Sequence, residues 1–247
     1  MATGVAVDIQ TVRVDLAAAY RLAAKAGYDD VIWNHFSARL AGRDDRFLVK
    51  PHGLTFDEVT ASSLVVVDNE GRVVEGDGYV EESAFQLHAQ IHRTRADAVC
   101  ALHAHPPYAT ALTALRDNRL RFIHQDSLHF YGRVAYHEGY NGLALDADEA
   151  ATIIKALAEK DILFMRHHGV IVVGRDVADA YYHLYYLELA AKRQLLAMSS
   201  NQELVEISED IAQLVSRQFE DEREESAGLN FAALKRSLDR QDRGYAD

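Results

Sequence analysis

Two histidines one residue apart, His103 and His105, close a short apolar run that begins at Val99, and two prolines follow them. On an extended strand the side chains of residues i and i+2 point to the same face, so both imidazoles project together from Cα atoms roughly 6.5–7 Å apart. Two rings at that spacing can bind one metal ion. Because proline interrupts strand hydrogen bonding, the sequence predicts the pair at a strand end, where α/β sheets place their sites.

A second apolar run, 161–166, also leads into histidine, with His167 and His168 followed by Gly169. Three neutral imidazoles around an ion leave a coordination position open, which is typical of a catalytic metal site and not of a closed structural one. The spacing alone does not bring this second run to His103 and His105. A packed histidine that satisfies a hydrogen bond in the core is the structural alternative for each of them.

Composition and charge narrow the classes of protein to which the chain can belong. Its 247 residues are 49% hydrophobic and 26% charged, which is typical of a globular protein with a sizeable core. The net charge of −12 argues against a nucleic-acid-binding surface. The single cysteine, Cys100, excludes an internal disulfide. Since no run is long enough for a membrane helix and no signal-peptide pattern is present, we expect a cytoplasmic protein without a membrane partner.

Hydrophobic periodicity predicts the elements that position these residues. Helices are expected over 8–26, 83–95, 107–115, 146–160, 176–199 and 208–222, with Ser83 capping the second of them. Strands are expected over 36–39, 46–50, 64–68, 72–75, 98–103, 130–136, 162–166 and 170–173. The charge run from Asp221 to Ser226 is expected to lie on a solvated face. Hairpins mixed with helices, without a long linker, indicate one α/β domain over residues 1–247.

Five short motifs occur in a recognisable order along the chain. They are Asn34-x-x-Ser37-x-Arg39, Pro51-x-Gly53-Leu54, Leu87-His88, His103-x-His105-Pro106 and His168-Gly169-Val170. In these motifs, over roughly residues 10–200, the chain resembles the class II aldolase and adducin family. The two histidine motifs, at this separation, are the specific part of the resemblance.

The resemblance implies a fold, a metal site and an assembly. The implied fold is a three-layer α/β/α sandwich around a central, mostly antiparallel sheet. Beyond the matched residues we expect a C-terminal helix and tail over 201–247. The implied ligands of one divalent metal ion per subunit, Zn²⁺ or Mn²⁺, are His103, His105 and His168. The implied assembly is a homotetramer with active sites at subunit boundaries, acting on a small-molecule substrate. In the family a tyrosine from the neighbouring subunit donates a proton, and Tyr131 lies in the corresponding segment.

The departures from the family pattern bear on the substrate. Family aldolases carry Ser-Ser-Glu before the Leu-His motif, where the serines hold phosphate and the glutamate binds metal and acts as the base; here the stretch reads Glu82-Ser83-Ala84. An alanine methyl cannot accept a proton, and two adjacent carboxylates, Glu81 and Glu82, would repel a phosphate group. His52 also replaces a small hydroxylated residue of the second motif. A phosphorylated sugar is therefore not the expected substrate.

The missing glutamate leaves three solutions open. In the first, Glu82 or Glu81 acts as the base. In the second, a metal-bound hydroxide acts as the base, since a divalent ion lowers the pKa of bound water. In the third, the reaction needs no carboxylate base, as in decarboxylation of a metal-chelated acid. Glu82 and Tyr131 are the catalytic candidates. The substrate-binding candidates are Asn34, Lys50, Gly53 and Ser83, and Lys50 or Arg39 could pair with a substrate carboxylate.

Two functions from different classes are compatible with these patterns. The first is a divalent-metal-dependent lyase that breaks a carbon–carbon bond, by aldol cleavage or decarboxylation, in a small, non-phosphorylated keto or hydroxy-carbonyl compound through a metal-stabilised enolate. The second is a non-catalytic, adducin-like module for binding or assembly. A binding module has no need of three metal ligands, so the histidines favour the enzyme. His88, on a helix that should pack on the sheet, is expected to make a buried structural hydrogen bond.

Overall fold

The structure, a computed structural model, describes residues 8–142 and 147–247. The α-helices of these residues are α1 (Ile9–Ala26), α2 (Glu82–Thr94), α3 (Pro107–Thr113), α4 (Ala147–Leu157), α5 (Val177–Met198) and α6 (Glu209–Asp239). The strands are β1 (His35–Leu40), β2 (Arg43–Val49), β3 (Val65–Asp68), β4 (Val73–Glu75), β5 (Cys100–Ala104), β6 (Val134–His137), β7 (Ile162–Met165) and β8 (Val170–Gly174). Short 3₁₀ helices cover Gln125–Phe130 and Gly244–Ala246. Among the described helices, none combines the length and apolarity that crossing a membrane requires.

These strands form one eight-stranded sheet with helices on both faces. The strand order is β4-β3-β2-β1-β5-β8-β7-β6, and every neighbouring pair is antiparallel except β6 and β7. Helices α1 and α5, with part of α6, bury their apolar residues on one face. Helices α2 and α4 cover the other face. The expected α/β/α sandwich with a mostly antiparallel sheet is confirmed.

Alternation along two central strands decides which side chains reach each helical layer. In β1, Phe36 belongs to the core under α1 and α5, so its neighbours His35 and Ser37 face the α2 side. In β5, Leu102 likewise enters the α1–α5 core, which turns His103 towards the α2 side. The two strands pair with His35 opposite His103. Polar side chains from both strands therefore meet on the α2 face, at the end of the sheet.

The predicted elements are present, with some ends shifted. Helix α2 begins at Glu82 and is capped by Glu81, whose carboxylate accepts a hydrogen bond from the amide of Ala84 at 3.1 Å. The prediction that Ser83 caps this helix is therefore wrong. The capping residue is Glu81, two positions earlier, whose side chain is long enough to satisfy the otherwise free amide of Ala84. Position 146, where the predicted helix over 146–160 starts, lies outside the described residues, and α4 is described from Ala147 to Leu157.

The last helix is longer than predicted. It continues to Asp239 because buried residues recur every four positions beyond the predicted end, at Arg223, Ala227 and Phe231. Arg223 is only 8% exposed, and its guanidinium donates to both carboxylate oxygens of Asp179 in α5, at 2.6 and 2.7 Å. The expectation of a solvated face for the whole charge run is thus wrong at Arg223, which joins α6 to α5.

Candidate metal centre

The three predicted ligands converge at one end of the sheet. His103 lies in β5, His105 follows that strand, and His168 lies in the turn between β7 and β8. Strand β8 pairs with β5, with Val170 opposite Ala104, and this pairing brings the turn beside the other two histidines. One ligand nitrogen of each ring lies within 4.8 Å of the others, and the ring centroids are 4.8–5.0 Å apart. The structure therefore supplies the convergence that spacing alone left open.

Hydrogen bonds determine which nitrogen of the His103 and His105 rings faces the centre. Nδ1 of His103 lies 3.1 Å from the carbonyl oxygen of Val170, and Nδ1 of His105 lies 2.5 Å from Oδ2 of Asp30. Since these oxygens accept, both Nδ1 atoms donate, and each Nε2 keeps its lone pair for a metal ion. Nε2 of His105 is buried without a hydrogen-bond partner among the described residues, which is unfavourable unless a ligand binds there. The donor set thus fits a divalent ion.

His103 and His168 are neutral at physiological pH. Burial, with a further contribution from His105, lowers the pKa of His168 to about 4. Burial also holds the pKa of His103 well below its usual value. Since only the neutral imidazole binds a metal ion, protons do not compete for these two ligands near neutral pH.

Close packing explains the glycine that follows His168. A Cβ atom on Gly169 would overlap the ring of His105 and lie 2.6 Å from the carbonyl oxygen of Ala104. His167, on the other side of His168, has a left-handed φ of +58°, which tightens the turn. The His-Gly pair therefore lets the turn press His168 directly against the end of β5.

A strained loop holds Asp30 at the centre. Val31 and Asn34 adopt left-handed φ values of +58° and +67°, a region that β-branched residues rarely occupy. A backbone bridge between Asp30 and Trp33 closes the loop. Asn34 is only 3% exposed, and its Nδ2 has no hydrogen-bond partner among the described residues. The loop thus supplies the Asp30 carboxylate, which orients the His105 ring, and the Nδ2 group of Asn34, which is a free hydrogen-bond donor.

A small pocket opens beside the metal centre. Its polar and small lining residues include Asn34, His35, Lys50, His52, Glu81 and Ala84. His35 joins the pocket to the centre, because its ring centroid lies 5.0 Å from that of His103. Nζ of Lys50 donates to the carbonyl oxygens of Ile32 and Leu54 at 2.7 and 3.1 Å, and burial lowers the pKa of Lys50 to about 8. One of its three protons remains available to a ligand.

A carboxylate from another helix supports the segment after His105. Glu188 of α5 accepts hydrogen bonds from the amides of Tyr108 and Ala109, both at 2.8 Å, and so caps the N-terminus of α3. Its side chain is buried, and burial raises the pKa of Glu188 to about 7. Because α3 begins directly after His105-Pro106, this contact ties the metal centre to α5.

The sheet and all three histidines lie within residues that match a described family. Residues 14–195 match the Class II Aldolase and Adducin N-terminal domain. The chain belongs to the class II aldolase and adducin family. The three histidines that the resemblance implies as metal ligands thus converge in a family member with the expected fold.

Relatives within the class II aldolase and adducin family include enzymes and adducins. A solved aldolase II superfamily protein from Pseudomonas syringae is 38% identical, with a TM-score of 0.91 over 99% of this chain and 98% of that one. The structure of an L-fuculose 1-phosphate aldolase from Glaciozyma antarctica is 27% identical, with a TM-score of 0.83 over 94% of this chain and 91% of that one. Alpha-adducin of Rattus norvegicus is 38% identical over 76% of this chain but only 26% of its own length.

The structure brings some of the predicted substrate-binding residues to the pocket. Asn34 and Lys50 line it. Gly53 has a φ of +94° and turns the chain just after His52, another lining residue. The hydroxyl of Ser83 donates to the carboxylate of Glu81, so it is engaged within α2. The roles of all four candidates in substrate binding remain predictions.

The two catalytic candidates form hydrogen bonds with residues other than the three histidines. Glu82 is exposed and accepts a hydrogen bond from Gln86 at 2.6 Å, whereas Glu81 lines the pocket. Tyr131 precedes β6, while His168 lies beyond the opposite end of the paired strand β7. The length of a strand therefore separates Tyr131 from the centre, and its hydroxyl lies 3.4 Å from Glu209 of α6. The proton-donor role of Tyr131 remains a prediction.

Two further sequence expectations have structural outcomes. Arg39 donates to the carbonyl oxygens of residues 92, 95 and 96 at the end of α2, so Nη1 and Nη2 of its guanidinium anchor that helix. Its pairing with a substrate carboxylate remains a prediction. His88 is 1% exposed and hydrogen-bonds to His35 and Ser37. The expectation that His88 makes buried structural hydrogen bonds is confirmed.

Sequence reasoning missed Asp30, His35 and Glu188. Asp30 lies in a loop without periodicity, and Glu188 lies 80 residues from its partner, so neither carried a local signal. His35 did carry one, because its alternation with Ser37 places both side chains on one face of a strand. His88 and His92 share a helix face in the same way, four residues apart.

Proposed function

We propose that the protein is a divalent-metal-dependent carbon–carbon lyase that acts on a small, non-phosphorylated keto or hydroxy-carbonyl compound. The observation that carries this proposal is the convergence of three imidazole nitrogens within 4.8 Å. Nε2 of His105, buried without a partner among the described residues, marks the same point. Three nitrogen ligands with a free position suit Zn²⁺, and Mn²⁺ is the second choice.

The chain supplies groups that would bind and orient a substrate. When bound by His103, His105 and His168, the ion would stabilise negative charge that develops on a substrate oxygen. Nδ2 of Asn34 and the remaining proton of Lys50 Nζ can donate to a carboxylate or carbonyl oxygen. Asn34 and Lys50 are 3% and 4% exposed, so water competes weakly for these hydrogen bonds.

The charge of the pocket favours a substrate without phosphate. The carboxylate of Glu81 lines the pocket and is fixed there by Ser83 and by the amide of Ala84. Lys50 can offset one negative charge, but a phosphate dianion beside Glu81 would be repelled. Ala84 offers no proton acceptor, which favours decarboxylation of a keto or hydroxy acid at least as much as aldol cleavage.

The proposal includes an assembly and a location. A homotetramer would bring Tyr131 of one subunit to the centre of its neighbour, where the hydroxyl could donate a proton. The acidic chain would work in the cytoplasm on a small molecule, without a nucleic-acid or membrane partner. A non-catalytic assembly module is the second candidate function, and the similarity to alpha-adducin favours it. The two candidates differ in their need for metal.

Metal content measured by mass spectrometry distinguishes the two candidates. The protein is purified without chelator or histidine tag, as wild type, His105→Ala and His167→Asn. His167 is exposed, and asparagine tolerates its left-handed φ, so His167→Asn is the matched control. We expect about one ion per chain in the wild type and the control, and its loss in His105→Ala. Keto and hydroxy acids are then screened for release of carbon dioxide or an aldehyde.

A wild-type protein that contains no metal and takes up neither zinc, manganese nor cobalt would overturn the lyase proposal. The adducin-like candidate would then be preferred. Equal metal content in all three proteins would show that the ion lies somewhere other than the three-histidine centre.

A further inference from the structure

A chain of hydrogen bonds crosses from α2 to the edge of the metal centre. It begins at the carbonyl oxygen of Ala98, 3.1 Å from Nδ1 of His92. Nε2 of His92 lies 2.7 Å from Oγ of Ser37, which lies 2.5 Å from Nδ1 of His88. Nε2 of His88 lies 2.8 Å from Nδ1 of His35. We name the four side chains His92, Ser37, His88 and His35 the relay. It ends at the His35 ring, whose centroid lies 5.0 Å from that of His103.

The inner members of the relay are buried and uncharged. Ser37, His88 and His92 are 0%, 1% and 5% exposed. Burial lowers the pKa of both His88 and His92 to about 3. Each ring is therefore a neutral imidazole, with one nitrogen that donates a hydrogen bond and one that accepts.

The start of the relay determines the direction of every bond in it. The carbonyl of Ala98 can only accept, so Nδ1 of His92 donates and its Nε2 accepts the single hydroxyl proton of Ser37. The Ser37 oxygen must then accept from Nδ1 of His88, which leaves Nε2 of His88 as an acceptor. His35 completes that bond by donating from Nδ1. A neutral His35 therefore keeps an unprotonated Nε2.

Nε2 of His35 has no hydrogen-bond partner among the described residues, and His35 lines the pocket that Asn34 and Lys50 also line. We propose that Ser37, His88 and His92 act as positioning residues that hold His35 in its Nδ1-protonated tautomer, so that Nε2 accepts a hydrogen bond from a substrate hydroxyl beside the metal centre. The free donors of Asn34 and Lys50 would bind the carboxylate of the same molecule. A hydroxy acid matches this combination of two donors and one acceptor.

The relay sets a tautomer and does not conduct protons. A conducting chain needs an exchangeable proton at its far end, and the backbone carbonyl of Ala98 has none to give. The part of the proposal that concerns the substrate rests on the proposed lyase function. The tautomer of His35 does not, since it can be measured on the protein alone.

Nitrogen-15 solid-state NMR of histidine-labelled, zinc-loaded protein tests the tautomer, because protonated and unprotonated ring nitrogens have well-separated shifts. The resonances of His35 are assigned by their loss in His35→Gln. We expect a protonated Nδ1 and an unprotonated Nε2 in the wild type. Ser37→Ala removes the central link, so His35 should show both tautomers. Ser127→Ala is the control, since Ser127 is equally buried and its hydroxyl donates to His124, outside the relay.

Both serine variants should retain zinc, so that a change in His35 cannot be attributed to loss of the centre. An unprotonated Nδ1 in the wild type, or a His35 spectrum that Ser37→Ala leaves unchanged, would overturn the relay. Identical changes in Ser37→Ala and Ser127→Ala would also overturn it, because they would reflect general loss of packing.

Glycolate, the smallest hydroxy acid, probes the acceptor, with acetate as the matched ligand that lacks the hydroxyl. Titration of the zinc-loaded wild type with glycolate should shift the Nε2 resonance of His35, whereas acetate should leave it in place. In Ser37→Ala the glycolate affinity should fall by at least about twofold, because only the fraction of His35 rings that stays Nδ1-protonated can accept the hydroxyl, while the acetate affinity stays constant. If the Nε2 resonance of His35 does not shift at any glycolate concentration, the proposal that His35 binds a substrate hydroxyl is overturned. The result on the tautomer of His35 is independent of this outcome.

Discussion

Replacing Asp30 by alanine should weaken metal binding while leaving the fold intact. Oδ2 of Asp30 lies 2.5 Å from Nδ1 of His105 and thereby directs Nε2 of that ring to the centre. Loss of such an orienting carboxylate lowers metal affinity by about 10–100-fold, which corresponds to about 1.4–2.7 kcal/mol. The Asp30 side chain is 51% exposed, so water can replace part of its hydrogen bonding to His105. We therefore expect the lower end of this range, a loss of about tenfold.

Competition with a chromophoric chelator at constant pH measures this zinc affinity. Asp29→Ala is the control, because it removes the same charge from the adjacent position. Equal affinities in the wild type and Asp30→Ala would refute the orienting role of the carboxylate. Equal losses in the two variants would also refute it, since net charge and not the hydrogen bond would then explain the effect.

Three other predictions concern the contacts that hold the centre in place. Arg223→Met leaves the buried Asp179 carboxylate with only its contacts to Arg175, so the free energy of unfolding in urea should fall by about 3 kcal/mol. A loss below about 1 kcal/mol would mean that Arg175 and water replace Arg223. Burial raises the pKa of Glu188 from about 4.5 to about 7, so folding takes up a proton between these pH values and stability should decrease as pH rises through them, by up to about 3 kcal/mol. Glu188→Gln should remove that dependence, and an unchanged pH profile of the melting temperature would contradict the assignment. Gly169→Ala would push a methyl group into the ring of His105, so zinc content should fall although far-ultraviolet circular dichroism is unchanged; full zinc occupancy would show that the turn can move.

Local patterns predicted the strands that carry the ligands, but not the contacts between those strands. The two-residue period placed His103 and His105 on one face, because alternation is a property of any extended chain. The approach of His168 depends instead on the pairing of β8 with β5, where Val170 lies opposite Ala104. Such pairing joins residues far apart in sequence, and no local spacing encodes it.

The residues whose roles were not predicted form hydrogen bonds with partners far away in the sequence. Asp30 reaches a histidine 75 positions away, and Glu188 accepts a hydrogen bond from the amide of Tyr108, 80 positions before it. The length of α6 was missed for a related reason. A run of charges normally marks solvent, yet Arg223 is buried because Asp179, 44 positions earlier, neutralises it. In each case the partner, and not the residue type, decides the role.

The left-handed residues beside the centre bear on how the protein would handle its metal. Val31, Asn34 and His167 hold conformations that cost about 1 kcal/mol or more each, and they persist because the surrounding sheet fixes the chain on both sides. The three proposed ligands would therefore be ordered by the fold and not by the ion, unlike those of a zinc finger, which folds only around its metal. Removal of the metal would leave the three imidazoles in place. One divalent ion could then be exchanged for another without refolding, so the ion that occupies the site in a cell would follow from metal supply as much as from the geometry of the protein.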